Sequence, residues 1–248
     1  MTSPTIPMPL AISGFEPDKL STNQLIIRRG WCASADGNDF AQLTTDITLD
    51  MSQVGINGLD QGLPVNGYDY FVYIVKNQST NEVGAVISHA KYYSDVVLPS
   101  GYGMHRKLRF GFVYNSARDG IPNFHLSPWP MPFIRLTDAE TSGSYCVLSN
   151  GVSSAFANIS LSAFIPDNAR MAYIQCVTYS SGTAGSSYVR SYSGQLTGIM
   201  AGSSTPTDVG DRQCFNIRVT SDLKLQYKVI GGAKLSVYVL GYDMTEPS

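Results

Sequence analysis

Charge is scarce in this chain. Only 15% of its residues are Asp, Glu, Lys or Arg, and the formal net charge is −2. No run of five like charges occurs, and the densest basic spot is His105, Arg106, Lys107 and Arg109. Nucleic-acid binding needs a concentrated basic face to neutralise phosphates, so it is disfavoured. The basic spot reads instead as a solvated turn entering a strand. Histidine is scarce too: His89, His105 and His125 show neither HxH nor HExxH spacing, which leaves a zinc hydrolase unsupported. Cys32, Cys146, Cys176 and Cys214 lie far apart without a CxxC pair, so a structural zinc site lacks its closely spaced ligands. The first twenty residues do not show the basic-then-apolar order of a signal peptide. Buried free thiols are therefore expected rather than disulfides. No apolar run approaches the roughly 18 residues of a membrane span.

The usual catalytic signatures are missing as well. There is no GxSxG elbow, no GxxxxGK[ST] loop and no GxGxxG turn. Asp36, Asp39, Asp60, Asp119, Asp138, Asp167, Asp208, Asp211 and Asp222 sit in turn contexts, where the carboxylate bonds local backbone donors. Turn chemistry explains them without the pair of carboxylates across a cleft that glycoside hydrolysis uses. No catalytic residue, metal ligand or cofactor site is singled out, and the chain reads as a protein that is not an enzyme. Helical periodicity is nearly absent, with one candidate turn at 137–141.

What is present is β-sheet signal. The hydrophobic fraction is 43%, with 15 Tyr and 10 Phe. Strand-length apolar segments at 68–75, 83–88 and 108–114 are bounded by Gly, Asn or Pro and read as an antiparallel meander. Residues 40–51 and 155–164 alternate as half-buried strands do. Segment 55–67, with Gly55, Gly58, Gly62 and Gly67, reads as a loop or an irregular excursion at one end of the sheet. The chain closes with strand signals at 214–220, 223–230 and 234–241. Their two-residue links, Ser221-Asp222 and Gly231-Gly232, suit tight hairpins and a second meander. The Ser/Gly-rich stretches 180–187 and 202–210 read as outward-facing loops.

Prolines divide the chain. Pro4, Pro7, Pro9 and Pro17 make residues 1–22 an extended arm. In it Pro4, Ile6, Pro7, Pro9 and Leu10 are candidate docking residues. The segment SPWPMPF at 127–133 cannot lie in a central strand. The expected organisation is an arm at 1–22, a β-sandwich half at 23–126 with the central meander, a Pro-rich linker at 127–144 and a second sandwich half at 145–248. The fold class is all-β, jelly-roll or Ig-like, with very little helix. Trp129, Tyr188 and Tyr192 are candidate surface-binding aromatics, suited to stacking on a host surface glycan.

One stretch carries a resemblance. YDYFVYIVKN, VGAVIS, LPSGYGMHRKLRFGFV and IPNF, at 67–124, resemble a recurrent pattern in structural proteins of tailed bacteriophages. The matching residues are Tyr70, Val72, Ser88, Leu98, Pro99, Gly101, Tyr102, Arg106, Arg109, Gly111, Ile121 and Phe124. The ending VYVLGYDM is similar more loosely. The resemblance implies a virion structural protein with a β-sandwich body, assembled in the host cytoplasm. It implies a tail-fibre, tail-associated or head-surface position, capsid decoration being the alternative. Partners would be other virion proteins and further copies of the chain, with a trimer favoured, and neither membrane nor nucleic acid.

Overall fold

The computed structural model describes residues 12–34, 37, 39–127, 133–137, 145–180, 182–191, 198–204 and 210–244. It is all-β. The described helix is a single 3₁₀ turn at Tyr93–Asp95. The chain divides into two compact units, Met1–Pro132 with Glu246–Ser248, and Phe133–Thr245.

The first unit holds β1 (Ile12–Gly14), β2 (Pro17–Lys19), β3 (Gln24–Ile27), β4 (Gly30–Ala33), β5 (Phe40–Leu43) and β6 (Ile47–Val54). It continues with β7 (Gly58–Leu59), β8 (Asp69–Asn77), β9 (Val83–Ser88), β10 (Tyr102–Val113) and β11 (Phe124–Leu126). A seven-stranded sheet runs in the order β10-β8-β9-β7-β6-β3-β2, and a three-stranded sheet in the order β1-β4-β5. Strand β8 is buried on both faces: Tyr70, Phe71, Val72, Tyr73, Ile74 and Val75 all lie in the core. That suits its unbroken apolar run, which marks a strand covered on two sides. Its tyrosines are buried with partnered hydroxyls. Tyr70 Oη accepts from Val65 N at 2.9 Å, and Tyr73 Oη donates to the Ala90 carbonyl at 2.6 Å.

Several expectations change here. The central strands do not form a meander, because β10 pairs with β8 rather than with β9. The long 89–101 crossing passes over the face bearing Tyr73 and Lys107. Lys107 N donates to Tyr93 Oη and Lys107 Nζ to the Lys91 carbonyl. That crossing delivers β10 to the far edge of β8. Segment 55–67 is more than a loop, since β7 inserts in parallel between β6 and β9. Glycine is required there, as a Cβ on Gly58 would stand 2.4 Å from the Gln53 carbonyl oxygen. The 40–51 alternation is two strands in different sheets, turned at Asp46, whose carboxylate accepts from Arg29 N at 2.8 Å. The arm read at 1–22 is in part sheet: β1 and β2 belong to it, and Phe15 is fully buried. Residues 1–11 lie outside the described residues.

The second unit holds β12 (Phe133–Leu136), β13 (Cys146–Gly151), β14 (Ala157–Ser160), β15 (Ala169–Ser180) and β16 (Gly185–Ser191). It ends with β17 (Ile199–Ser204), β18 (Asp211–Arg218), β19 (Lys224–Ile230) and β20 (Ala233–Met244). One sheet carries β12-β20-β15-β18 with β13 also on β20; the other runs β14-β19-β16-β17. Ala172, Ile174, Cys176, Leu235, Val237 and Val239 of the first sheet are buried, as are Val189, Leu225, Tyr227 and Val229 of the second. Alternation along β15 and β19 gives each sheet one buried face.

The stretch read as a linker at 127–144 contains β12, and the expected helical turn at 137–141 lies largely outside the described residues. The closing meander also resolves differently. The strands exist, but β19 lies in the other sheet from β18 and β20. Both edges of β19 are taken, by β14 and β16, so it has none to offer its chain neighbours. The short links are corners between sheets, entered through Leu223 at φ 51° and through Gly231 and Gly232 at φ 69° and 78°. The Ser-rich 180–187 stretch is partly core: Ser180 and Ser187 are fully buried, and Ser187 shares a hydroxyl–hydroxyl bond with Thr178.

Candidate binding face and a buried basic cluster

The three-stranded sheet of the first unit has a buried inner face and an exposed outer one. Cys32 and Ala41 face inward; Ser13, Trp31 and Gln42 stand side by side on the outer face, in register across β1, β4 and β5. The alternation of β4 and β5 dictates this, since a strand sends successive side chains to opposite faces. Close approach of β1 and β4 needs glycine on both. A Cβ on Gly14 would meet the Arg29 carbonyl oxygen at 2.2 Å, and one on Gly30 the Ser13 carbonyl oxygen at 2.4 Å.

Two adjoining clefts open on this sheet. One of about 380 Å³ is lined by Ser13, Arg29, Trp31, Gln42 and Thr44 among others. The other, of about 620 Å³, is lined by Glu16, Arg28, Arg29, Thr44, Thr45 and Asp46, with Gly14. Arg28 forms one wall, paired with Asp18 at 2.8 Å and Asp46 at 3.0 Å. The Arg29 backbone N–H and the Arg28 guanidinium together hold the Asp46 carboxyl below the usual carboxylate range. Arg28 is correspondingly raised by its hydrogen bonds to Asp46 and Asp18.

The basic spot of the sequence is not a solvated turn. His105, Arg106 and Lys107 are buried in β10. A register shift between Met104 and Arg106 leaves His105 as an extra residue in the ladder. Its Nε2 donates to the Cys32 carbonyl at 3.2 Å, and Arg106 Nη1 donates to the Ala33 carbonyl at 3.1 Å. Lys107 Nζ lies 3.8 Å from the Phe71 ring centroid while donating to the Lys91 carbonyl at 2.8 Å. Asp39 closes the cluster, bridging to Lys76 Nζ at 2.8 Å with His105 Nδ1 at 4.0 Å. Cys32, His105 and Asp39 superficially match a thiol protease set. The chemistry is wrong: burial pushes the Cys32 thiol up to about 12, and His105 bonds its carbonyl rather than its sulfur. A nucleophilic cysteine needs a lowered pKa and access. His105 and Arg106 instead staple β10 to β4 through backbone carbonyls, while Lys107 holds the 89–101 crossing.

Asp60 departs from the other turn acids. It is buried, accepting from Ser88 Oγ at 2.7 Å and Val97 N at 3.2 Å, and so ties two loops together. His89 and His105 do not form a common site; the His89 ring packs 5.8 Å from Tyr68 and is exposed, as is His125.

Of the residues singled out from sequence, Pro4, Ile6, Pro7, Pro9, Leu10, Trp129 and Tyr192 lie outside the described residues. Tyr188 is on β16, half-buried, with Lys228 Nζ 5.5 Å from its ring centroid. Beside it Arg190 stacks on Phe156 at 3.7 Å, so this face is already occupied by its own cations. Trp31 was not singled out. The available signal was a tryptophan preceded by Gly30 and followed by a small Cys-Ala pair, which marks a strand with a bulky outward and a small inward residue.

Among the described residues no group of His, Cys, Asp or Glu is placed to hold a metal ion, and no helix is long and apolar enough to cross a membrane. No protein-family model matches the chain, and a search of curated proteins finds no match. Among solved structures, a tryptic core variant of Bacillus thuringiensis Cry1Da aligns over 94% of this chain at 8% identity and a TM-score of 0.22. This chain spans about half, 51%, of that structure's length, and a likeness so low carries no argument.

Proposed function

We propose that this protein is a non-enzymatic structural component of a tailed-phage particle, tail-fibre or tail-associated, acting by self-assembly. Capsid decoration is the alternative position. The residues of the phage-like pattern supply the starting point. Tyr70, Val72, Gly111, Ile121 and Phe124 are core positions of the first unit, so the pattern describes a body rather than an active site.

The observation that carries the assembly reading is exposed apolar surface. Leu63, at 73% exposure, lies with Val65, Tyr68, Tyr92 and Val97 on the 60–68 and 89–97 loops that Asp60 ties together. Exposed apolar side chains on two linked loops of a polar, weakly charged surface suit an interaction site. In this reading they are covered by a second copy, and residues 1–11 tether the body to the particle.

The test is particle incorporation in a host that produces the phage. Full-length protein is expected to co-sediment with particles through a density gradient. A 12–248 truncation, which retains β1 and β2, is expected to stay soluble and folded but to remain at the top. Equal incorporation of both rules out the tether, and absence of the full-length chain from particles rules out the structural role.

A further inference from the structure

The outer face of β1-β4-β5 has a chemistry that assembly does not use. Trp31 presents its indole at 38% exposure in the middle of a three-residue row, flanked by Ser13 on one side and Gln42 on the other. Neighbouring strands are about 4.8 Å apart, so these two side chains border the ring at one strand spacing each. Arg29 and Thr44 complete the rim. The side chains of Ser13, Gln42, Thr44 and Arg29 are exposed and make no hydrogen bond to any described residue. They offer two hydroxyls, an amide and a guanidinium to a ligand.

From this geometry we infer that the Trp31 face is a carbohydrate subsite that binds a neutral pyranose ring. The apolar C–H face of the sugar lies on the indole, and its equatorial hydroxyls meet Ser13, Gln42, Thr44 and Arg29. An aromatic bordered by polar groups with open hydrogen-bonding capacity is an arrangement that suits an amphipathic ring. Charge selects the ligand class. The adjoining clefts carry Arg28 and Arg29 against Glu16 and Asp46, two charges of each sign. Such a lining does not attract an anionic polymer, which separates this site from a nucleic-acid or phosphate site. The smaller cleft, about 380 Å³, lies within the roughly 300–1,000 Å³ of small-ligand sites. The Tyr188 face of the second unit lacks this vacancy, because Lys228 and Arg190 already cover its rings.

The test is saturation-transfer NMR on the full-length chain with methyl glycosides of glucose, galactose, mannose and N-acetylglucosamine. The same sugars are titrated against tryptophan fluorescence in a Trp129→Phe background, where Trp31 is the one tryptophan left of the chain's 2. At least one glycoside is expected to bind in the millimolar range, on the order of −4 kcal/mol for a single subsite. Saturation is expected at the C–H face of that sugar, with a change in Trp31 emission. Trp31→Ala is expected to lose the signal, and Trp31→Phe to keep part of it. Gln42→Ala, on an exposed rim that leaves the core untouched, is expected to weaken binding severalfold with an unchanged melting temperature. If Trp31→Ala unfolds, the Gln42→Ala and Trp31→Phe results decide alone. No saturation with any of the four sugars overturns the inference, and so does unchanged binding in the rim and Trp31 variants. Neither result bears on particle incorporation, so this site and the structural role fail independently.

Discussion

His105 sits in the core as a neutral imidazole, and that has a pH signature. Burial lowers its pKa below the ordinary 6.5, outweighing the opposing effects of the Cys32 carbonyl and Asp39; Lys76 and Arg106 act with burial. The unfolded chain therefore takes up a proton at pH values where the folded chain does not, and stability declines as pH drops through 6.5. Over roughly pH 8 to 5.5 the carboxylates Asp39, Asp46 and Asp50 stay ionised, since each is held below its usual range. Urea midpoints should fall across that interval for the wild type and fall less for His105→Gln, whose amide can still donate to the Cys32 carbonyl. Parallel declines in the two proteins would show that another group is responsible.

The cysteines give a second residue-scale expectation. All four are free, but only Cys32 and Cys176 are buried; Cys146 is half-buried and Cys214 exposed on β18. The sequence pattern could not separate them, because their positions depend on which face of which strand meets the other sheet. Burial pushes the Cys176 thiol, like that of Cys32, up to about 12. A thiol reagent at neutral pH should label Cys214 rapidly, with Cys32 and Cys176 reacting only on addition of denaturant. Fast native labelling of Cys32 would mean that the β1-β4-β5 sheet opens easily.

At the scale of elements, the strands were far more legible than their pairing. Alternation along 224–230 and 169–180 is local and marks each as a strand with one buried face. Partner choice is not local. Residues 221–222 and 231–232 look like hairpin turns, yet β19 leaves its neighbours because both of its edges are filled by β14 and β16. The basic spot at 105–107 is buried against its local pattern for a related reason. Three consecutive basic residues signal solvent unless carbonyls of another sheet wait to receive them, and those of Cys32 and Ala33 lie 73 residues away in the chain. The candidate binding face was illegible for the same cause: Ser13, Trp31 and Gln42 meet only through sheet register. Gly30 tests that register. Gly30→Ala places a methyl against the Ser13 carbonyl and should cost about 1–3 kcal/mol, read from a lower urea midpoint. A neutral result would show that β1 is not docked on β4.

The chain has two β-units, and the boundary between them falls at residue 132, in a proline-rich stretch of sequence. Its low charge and its loops bearing Leu63, Val65, Tyr68, Tyr92 and Val97 make self-association the central claim. Obligate interfaces resemble a core cut in half, and buried apolar side chains at a symmetric contact supply their stability. The most direct measurement is the native mass of the purified full-length chain by sedimentation equilibrium at about 10 µM, a concentration at which Kd values near 1 µM are populated. The account predicts a trimer, three times the 26.9 kDa of one chain, that Leu63→Asp converts to smaller species. A mass of one chain at that concentration and above would contradict it.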